Sequence, residues 1–222
     1  MAIANIEAVI FDMDGTLVDS ELLTQKAVQI ILDQNKLNGG SFDFTQCYGI
    51  TWKKIEGILW EHFPAISAIP LAAQLEALFH RIGNKEKPAP IKGARWAVQE
   101  ANRVAKTAIG TSSKRKSLNE IVERLQLAAY LNTTVCAEDY ENSKPAPDCY
   151  LLVARQLEVE PKKCLVFEDS IAGIKAARAA GMDVIAITHR APQQKMASKI
   201  VCQSIENYLE LPGDFFMRTC GQ

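Results

Sequence analysis

The sequence predicts an α/β protein, a parallel sheet with helices on both faces, into which a small all-helical domain is inserted like a lid. Three observations predict it. From about residue 91 onward, short apolar runs alternate with helix-period segments, a spacing that builds parallel strands joined by helical crossovers. One further apolar run, Ile6 to Phe11, stands apart near the start, and the stretch between it and Pro90 holds helical periodicity with no convincing strand. The apolar runs also end in polar clusters, and in open sheets of this class ligands bind beyond the carboxyl ends of the strands. The expected division is 1–17 with 91–222 for the core and 18–90 for the insertion.

The elements follow in order. Ile6 to Phe11 is β-branched and apolar and ends in Asp12-Met13-Asp14-Gly15, a buried strand running into a turn. Over residues 20–37, Leu22, Leu23, Ala27, Ile30 and Ile31 recur at three and four, with Ser20 placed to cap the helix. Helical patterns return over 51–62 and 69–82, separated by Gly39-Gly40 and the Pro64 region. After Pro88-Ala89-Pro90 come a helix over 93–104, a strand over 107–109 and then Gly110-Thr111-Ser112-Ser113. A helix over 116–125 leads to Thr133-Thr134-Val135-Cys136. Lys144-Pro145 precedes a helix over 147–157. Cys164 to Phe167 reads as a strand ending in Glu168-Asp169-Ser170, followed by a helix over 171–180 that stops at Gly181. Val184 to Ile187 is another strand, and Ile200-Val201-Cys202 a short last one.

Composition narrows the function classes. Twenty-five Lys and Arg against 26 Asp and Glu give a formal net charge of -1, so charge offers no argument for nucleic acid or an anionic membrane. The first residues do not read as a signal peptide, and no apolar run is long enough for a spanning helix. Six cysteines without a CxxC pair suit reduced thiols and a cytoplasmic compartment. The three histidines show no metal-binding spacing.

Asp12 and Asp14 lie two apart at a strand end, so both side chains can point one way. Alone, such a pair also suits a plain turn. A second strand, however, ends in Glu168-Asp169, and four gathered acids repel one another unless a cation is present. A hard divalent ion relieves that repulsion, and magnesium binds through a few carboxylates together with substrate phosphate. Thr111, Ser112 and Ser113 suit either an anion site or an ordinary helix cap. Lys144, in a loop before proline, is either solvated or placed to neutralise a transferring phosphoryl group.

Taken together, Asp12-Met13-Asp14-Gly15-Thr16, the Thr111 segment, Lys144-Pro145 and Glu168-Asp169, in that order, resemble the haloacid dehalogenase superfamily. The flanks Phe11 to Glu21, Ser143 to Asp148 and Val166 to Ile174 are similar to its subfamily with a helical cap, near β-phosphoglucomutase and sugar-phosphate phosphatases. The resemblance implies a Rossmann-like core, a cap domain and phosphoryl transfer. Asp12 would be the nucleophile and Asp14 the general acid, then the base. The Asp14 backbone carbonyl with the Asp12 and Asp169 carboxylates would bind Mg²⁺, and Glu168 would support that shell directly or through water. Thr111 would bind a phosphate oxygen, with Ser112 beside it, and Lys144 would bridge the phosphate and Asp12.

The resemblance favours a phosphatase acting on a small phosphorylated metabolite; no nucleic-acid or membrane partner is expected, and the oligomeric state stays open with a monomer favoured. A dehalogenase would not need Asp14, and a signalling receiver domain would place its lysine last. A mutase of the β-phosphoglucomutase type is disfavoured by Thr24, where such enzymes carry a histidine, and by Ile50 after Gly49, where they carry a Gly-Arg pair. A non-catalytic phosphate-binding protein would not need all these positions. Sugar phosphates, nucleotides, pseudouridine phosphate and phosphoglycolate stay open as substrates. Thr24, Trp52, Lys53 and Lys54 are candidates to choose among them, on a cap hinged near Val18 and residues 88–90.

Overall fold

The computed structural model describes residues 5–48, 50–189 and 201–220. Strands β1 (Ala8–Phe11), β2 (Lys106–Gly110), β3 (Thr133–Val135), β4 (Cys164–Glu168), β5 (Asp183–Ile187) and β6 (Gln203–Ile205) form one sheet in the order β3-β2-β1-β4-β5-β6. All its pairings are parallel. The chain divides into two compact units, residues 1–18 with 90–222, and residues 19–89.

The larger unit contains the sheet and helices α4 (Ala94–Asn102), α5 (Arg115–Arg124), α6 (Asp148–Leu157), α7 (Ile171–Ala179) and α8 (Phe215–Cys220). Successive strand residues face opposite sides, so β1 serves two cores. Val9 and Phe11 join Ile109, Phe167 and the buried faces of α4 and α5. Ala8 and Ile10 join Val166, Val184 and the buried faces of α6 and α7. The strands read as continuous apolar runs for this reason. Phe11 stacks on Phe167 with ring centroids 5.2 Å apart, and each such fully buried side chain stabilises the fold by about 1.5–3 kcal/mol.

The smaller unit packs α1 (Glu21–Gln34), α2 (Trp52–His62) and α3 (Ala72–Lys85) around a core of its own that includes Leu23, Ile31, Leu59 and Leu75. Thr51 caps α2, its hydroxyl accepting from the Lys54 N–H. Ser20 does not cap α1: its backbone is already helical and its side chain makes no cap hydrogen bond. The pattern expected from residue 69 becomes helix only at Ala72, after Pro70. There the buried Glu56 of α2 accepts from the N–H groups of Leu71 (2.6 Å) and Ala72 (3.0 Å). Capped this way from a neighbouring helix, the first turn of α3 needs no local capping side chain.

The last strand is also shifted. Val201 and Cys202 precede it, and Ile200 and Gly49 lie outside the described residues. All six cysteines are free, and no described helix is long and apolar enough to cross a membrane.

Candidate active site

Register brings the polar clusters of the larger unit together. Phe11 pairs with Ile109 on one side and Phe167 on the other, so Asp12 emerges level with Gly110 and Glu168. The Asp12 N–H continues the ladder to the Phe167 carbonyl at 3.0 Å. The chain then turns tightly, with the N–H groups of Leu17 and Val18 both bonded to the Met13 carbonyl. Gly15 adopts φ +78°, the left-handed region that favours glycine. The Thr16 hydroxyl donates to Asp169 Oδ1 at 3.0 Å, which binds this turn to the end of β4.

A Cβ on Gly15 would lie 2.0 Å from Asp169 Oδ2. Gly15→Ala should therefore displace the Asp169 carboxylate and strain the turn, lowering stability by about 1–3 kcal/mol and activity at least tenfold. Thermal melting and phosphate release check both, and a variant with wild-type values would show that this close approach is unimportant.

Lys144 occupies the centre of the site. Its Nζ lies 2.6 Å from Asp12 Oδ1, 2.9 Å from Glu168 Oε1, 2.9 Å from the Tyr150 hydroxyl and 3.2 Å from the Gly110 carbonyl. The Lys144–Pro145 peptide bond is cis. Burial works against the ammonium charge, but Asp12 and Glu168 outweigh it and hold Lys144 well above the usual lysine range. The Asp12 carboxyl is pushed up to about 8, chiefly by burial. Lys144 pulls it back, while Glu168 and Asp14 push it further up.

Asp14 is less buried than Asp12 and accepts from the Ser113 hydroxyl at 2.5 Å. Thr111 is buried, its N–H bonded to the Val135 carbonyl and its hydroxyl accepting from the Ser113 N–H at 3.0 Å. Ser112 is exposed beside it. The six expected residues Asp12, Asp14, Thr111, Lys144, Glu168 and Asp169, with Ser112, thus all belong to the carboxyl ends of β1, β2 and β4 and the loop after β3.

Glu168 is held from two sides. Its Oε1 accepts from Lys144 and Tyr150, and its Oε2 from the Ser170 N–H and hydroxyl. With protein donors on both oxygens, it is placed to orient Lys144. Gly173 leaves it room, since a Cβ there would lie 1.5 Å from Glu168 Oε1.

Sequence reasoning missed two residues. The buried Tyr150 hydroxyl joins Lys144 to Glu168, and the Tyr140 hydroxyl touches the Thr111–Ser112 turn. A tyrosine in an apolar helix reads as core, and Tyr140 stands in a loop without a motif, so neither carried a signal.

In the smaller unit, Thr24 is buried on α1, and Trp52 packs on Phe79 with ring centroids 5.3 Å apart. Lys53 pairs with Glu56 and lies over the Trp60 ring, while Lys54 is exposed. Trp52 and Lys53 therefore have structural partners within their own unit.

Among the described residues no three His, Cys, Asp or Glu side chains gather to hold a metal ion. A ligand set of two carboxylates and one main-chain carbonyl does not require such a cluster. The donor chemistry fits a hard cation: oxygen groups only, an excess of negative charge, and a glycine that lets the Asp169 carboxylate lie against the Asp12–Gly15 turn.

The profile of the haloacid dehalogenase-like hydrolase family matches residues 9–187, and the chain belongs to that family. Fructose-1-phosphate phosphatase of Escherichia coli is 32% identical over 181 residues, covering 79% of this chain and 93% of that protein. A phosphorylated carbohydrates phosphatase of Thermotoga maritima is 32% identical over 188 residues, 81% of this chain and 84% of its own. Among solved structures, a haloacid dehalogenase-like protein of Agrobacterium tumefaciens superposes with a TM-score of 0.74 at 27% identity, covering 91% of this chain and 94% of that one.

Proposed function

We propose that this phosphatase hydrolyses a small phosphate monoester, a sugar phosphate or similar metabolite, through a phospho-aspartate at Asp12. The observation that carries the reading is the Asp12–Lys144–Glu168 cluster, buried at the strand ends with Asp14 and the Thr111 turn beside it. The relatives that act on fructose 1-phosphate and on phosphorylated carbohydrates support the substrate class. Residues 19–89 would be the cap that chooses the substrate, and the larger unit the catalytic core.

In the first step the Asp12 carboxylate attacks phosphorus, forming the aspartyl–phosphorus bond as the ester P–O bond breaks. Asp14 donates its proton to the departing alcohol oxygen. In the second step Asp14 takes a proton from water, which attacks phosphorus. The acyl phosphate then breaks, giving inorganic phosphate and restoring Asp12. Lys144 and the donors of the Thr111–Ser112 turn hold the phosphoryl oxygens in line. The Asp12 and Asp169 carboxylates and the Asp14 carbonyl would hold Mg²⁺, which supplies positive charge to the transferring group and lowers the cost of ionising Asp12. Glu168 acts through Lys144.

Phosphate release from p-nitrophenyl phosphate and a panel of sugar phosphates tests the reading. Turnover should require Mg²⁺ and fall at least 100-fold on chelation with EDTA, returning when the ion is restored. Undiminished turnover in EDTA would remove the metal from the reading, and silence across the panel with Mg²⁺ would remove the substrate class.

A further inference from the structure

Tyr140 belongs to none of the four motifs, yet it reaches into the site from the loop between β3 and Lys144. Its hydroxyl lies 3.2 Å from the Thr111 carbonyl oxygen and 3.2 Å from Ser112 Oγ. It can donate its hydrogen to the first and accept from the second. The loop that carries it is fastened to the start of α5. Asp139 accepts from the Cys136 N–H at 2.8 Å and from the Arg115 guanidinium, while Glu138 accepts from the Arg115 N–H. The Tyr140 ring packs against the core cluster that contains Tyr150 and Val153. Ring and hydroxyl are both fixed.

In a trans peptide the C=O and the following N–H point to opposite sides of one plane. Holding the Thr111 carbonyl towards Tyr140 therefore turns the Ser112 N–H away from it. Among the described residues, no acceptor takes that N–H. The neighbouring groups of the turn are committed elsewhere: the Ser113 N–H to Thr111 Oγ1 and the Ser113 hydroxyl to Asp14. The Ser112 hydroxyl faces Tyr140.

We infer that Tyr140 is a positioning residue for substrate binding: it fixes the Thr111–Ser112 peptide so that the Ser112 main-chain N–H is presented to a phosphoryl oxygen. The inference rests on the reading that this turn receives the phosphoryl group. It also changes what Ser112 contributes, since the main chain rather than the hydroxyl becomes the donor. Burial, eased slightly by Ser112, pushes the Tyr140 hydroxyl up to about 12, so it remains a donor through the neutral range.

Tyr140→Phe removes the hydroxyl and keeps the ring. KM for p-nitrophenyl phosphate and Ki for inorganic phosphate should each rise about 3–10-fold, the effect of one neutral hydrogen bond, with kcat changing less than twofold. The factor should be the same at pH 6 and pH 9, and the melting temperature without phosphate should be unchanged. The extra thermal stability conferred by inorganic phosphate in Mg²⁺ should shrink in parallel. An unmoved Ki, or a fall in kcat alone, overturns the assignment. Thr111→Val separates this failure from that of the underlying reading. If Thr111→Val raises Ki and Tyr140→Phe does not, Tyr140 alone is wrong; if neither moves Ki, the turn is not the phosphate site.

Discussion

Asp12→Asn is expected to abolish hydrolysis, by at least about 1000-fold in kcat, because the amide cannot form the phosphoenzyme. The same change should stabilise the protein in EDTA. In the folded chain the Asp12 carboxyl is pushed up to about 8 by burial and by Glu168 and Asp14, against 3.8 for an ordinary aspartate. A group raised in this way binds more protons folded than unfolded, so wild-type stability falls as pH climbs from about 4 to about 8. Asparagine has no such titration. The variant's advantage should be near zero at pH 4 and complete by pH 8. A rise of about 2–4 °C there is what one kcal/mol produces in a chain of this size. Melting curves at both pH values, beside single-turnover assays, check the prediction. Residual turnover within tenfold of wild type, or a pH-independent stability gain, would contradict it.

Lys144→Met should cost both activity and stability. It removes the cation between Asp12 and Glu168, leaving two buried carboxylates with no charge to face. Breaking a buried pair at one end costs about 3–5 kcal/mol, and losing one preorganised charge at a phosphoryl site costs about 100–1000-fold in rate. The pH dependence again has a definite sign. Lys144 itself is held above the lysine range and contributes no titration near neutrality. Without the Lys144 charge that pulls its carboxyl back, Asp12 becomes harder to ionise, so the instability should be greatest at high pH and ease as Asp12 takes up a proton. Adding Glu168→Gln should restore most of the stability and none of the rate. Full activity in Lys144→Met, or a double variant no steadier than the single, would refute the role given to this lysine.

The sequence disclosed most where chemistry and strand pattern coincide. Asp12, Gly110 and Glu168 each follow an apolar run, and parallel pairing in register brings such run ends together, so the residues of the candidate site could be grouped without coordinates. Gly181 marked a helix end for a local reason, a positive φ of 82°. Information carried by side chains meeting across distance stayed hidden. Glu56 looks like a solvent-facing helical residue until the start of α3 is set against it. Tyr150 looks like core until Lys144 and Glu168 reach its hydroxyl. Ser20 had the residue type of a cap but not its backbone conformation. The six-residue α8 is too short to show a periodicity.

The central position of β1 has a consequence for biosynthesis. Ala8 pairs with Lys106 on one side and Cys164 on the other, so the strand bearing Asp12 leaves the ribosome long before either neighbour exists. The helices of residues 19–89 have partners close by in the chain and can assemble during that interval. A nascent polypeptide ending short of Asp169 would then carry a folded 19–89 unit and an incomplete candidate site. Competence arrives only when the β4 segment emerges and the waiting strand is enclosed.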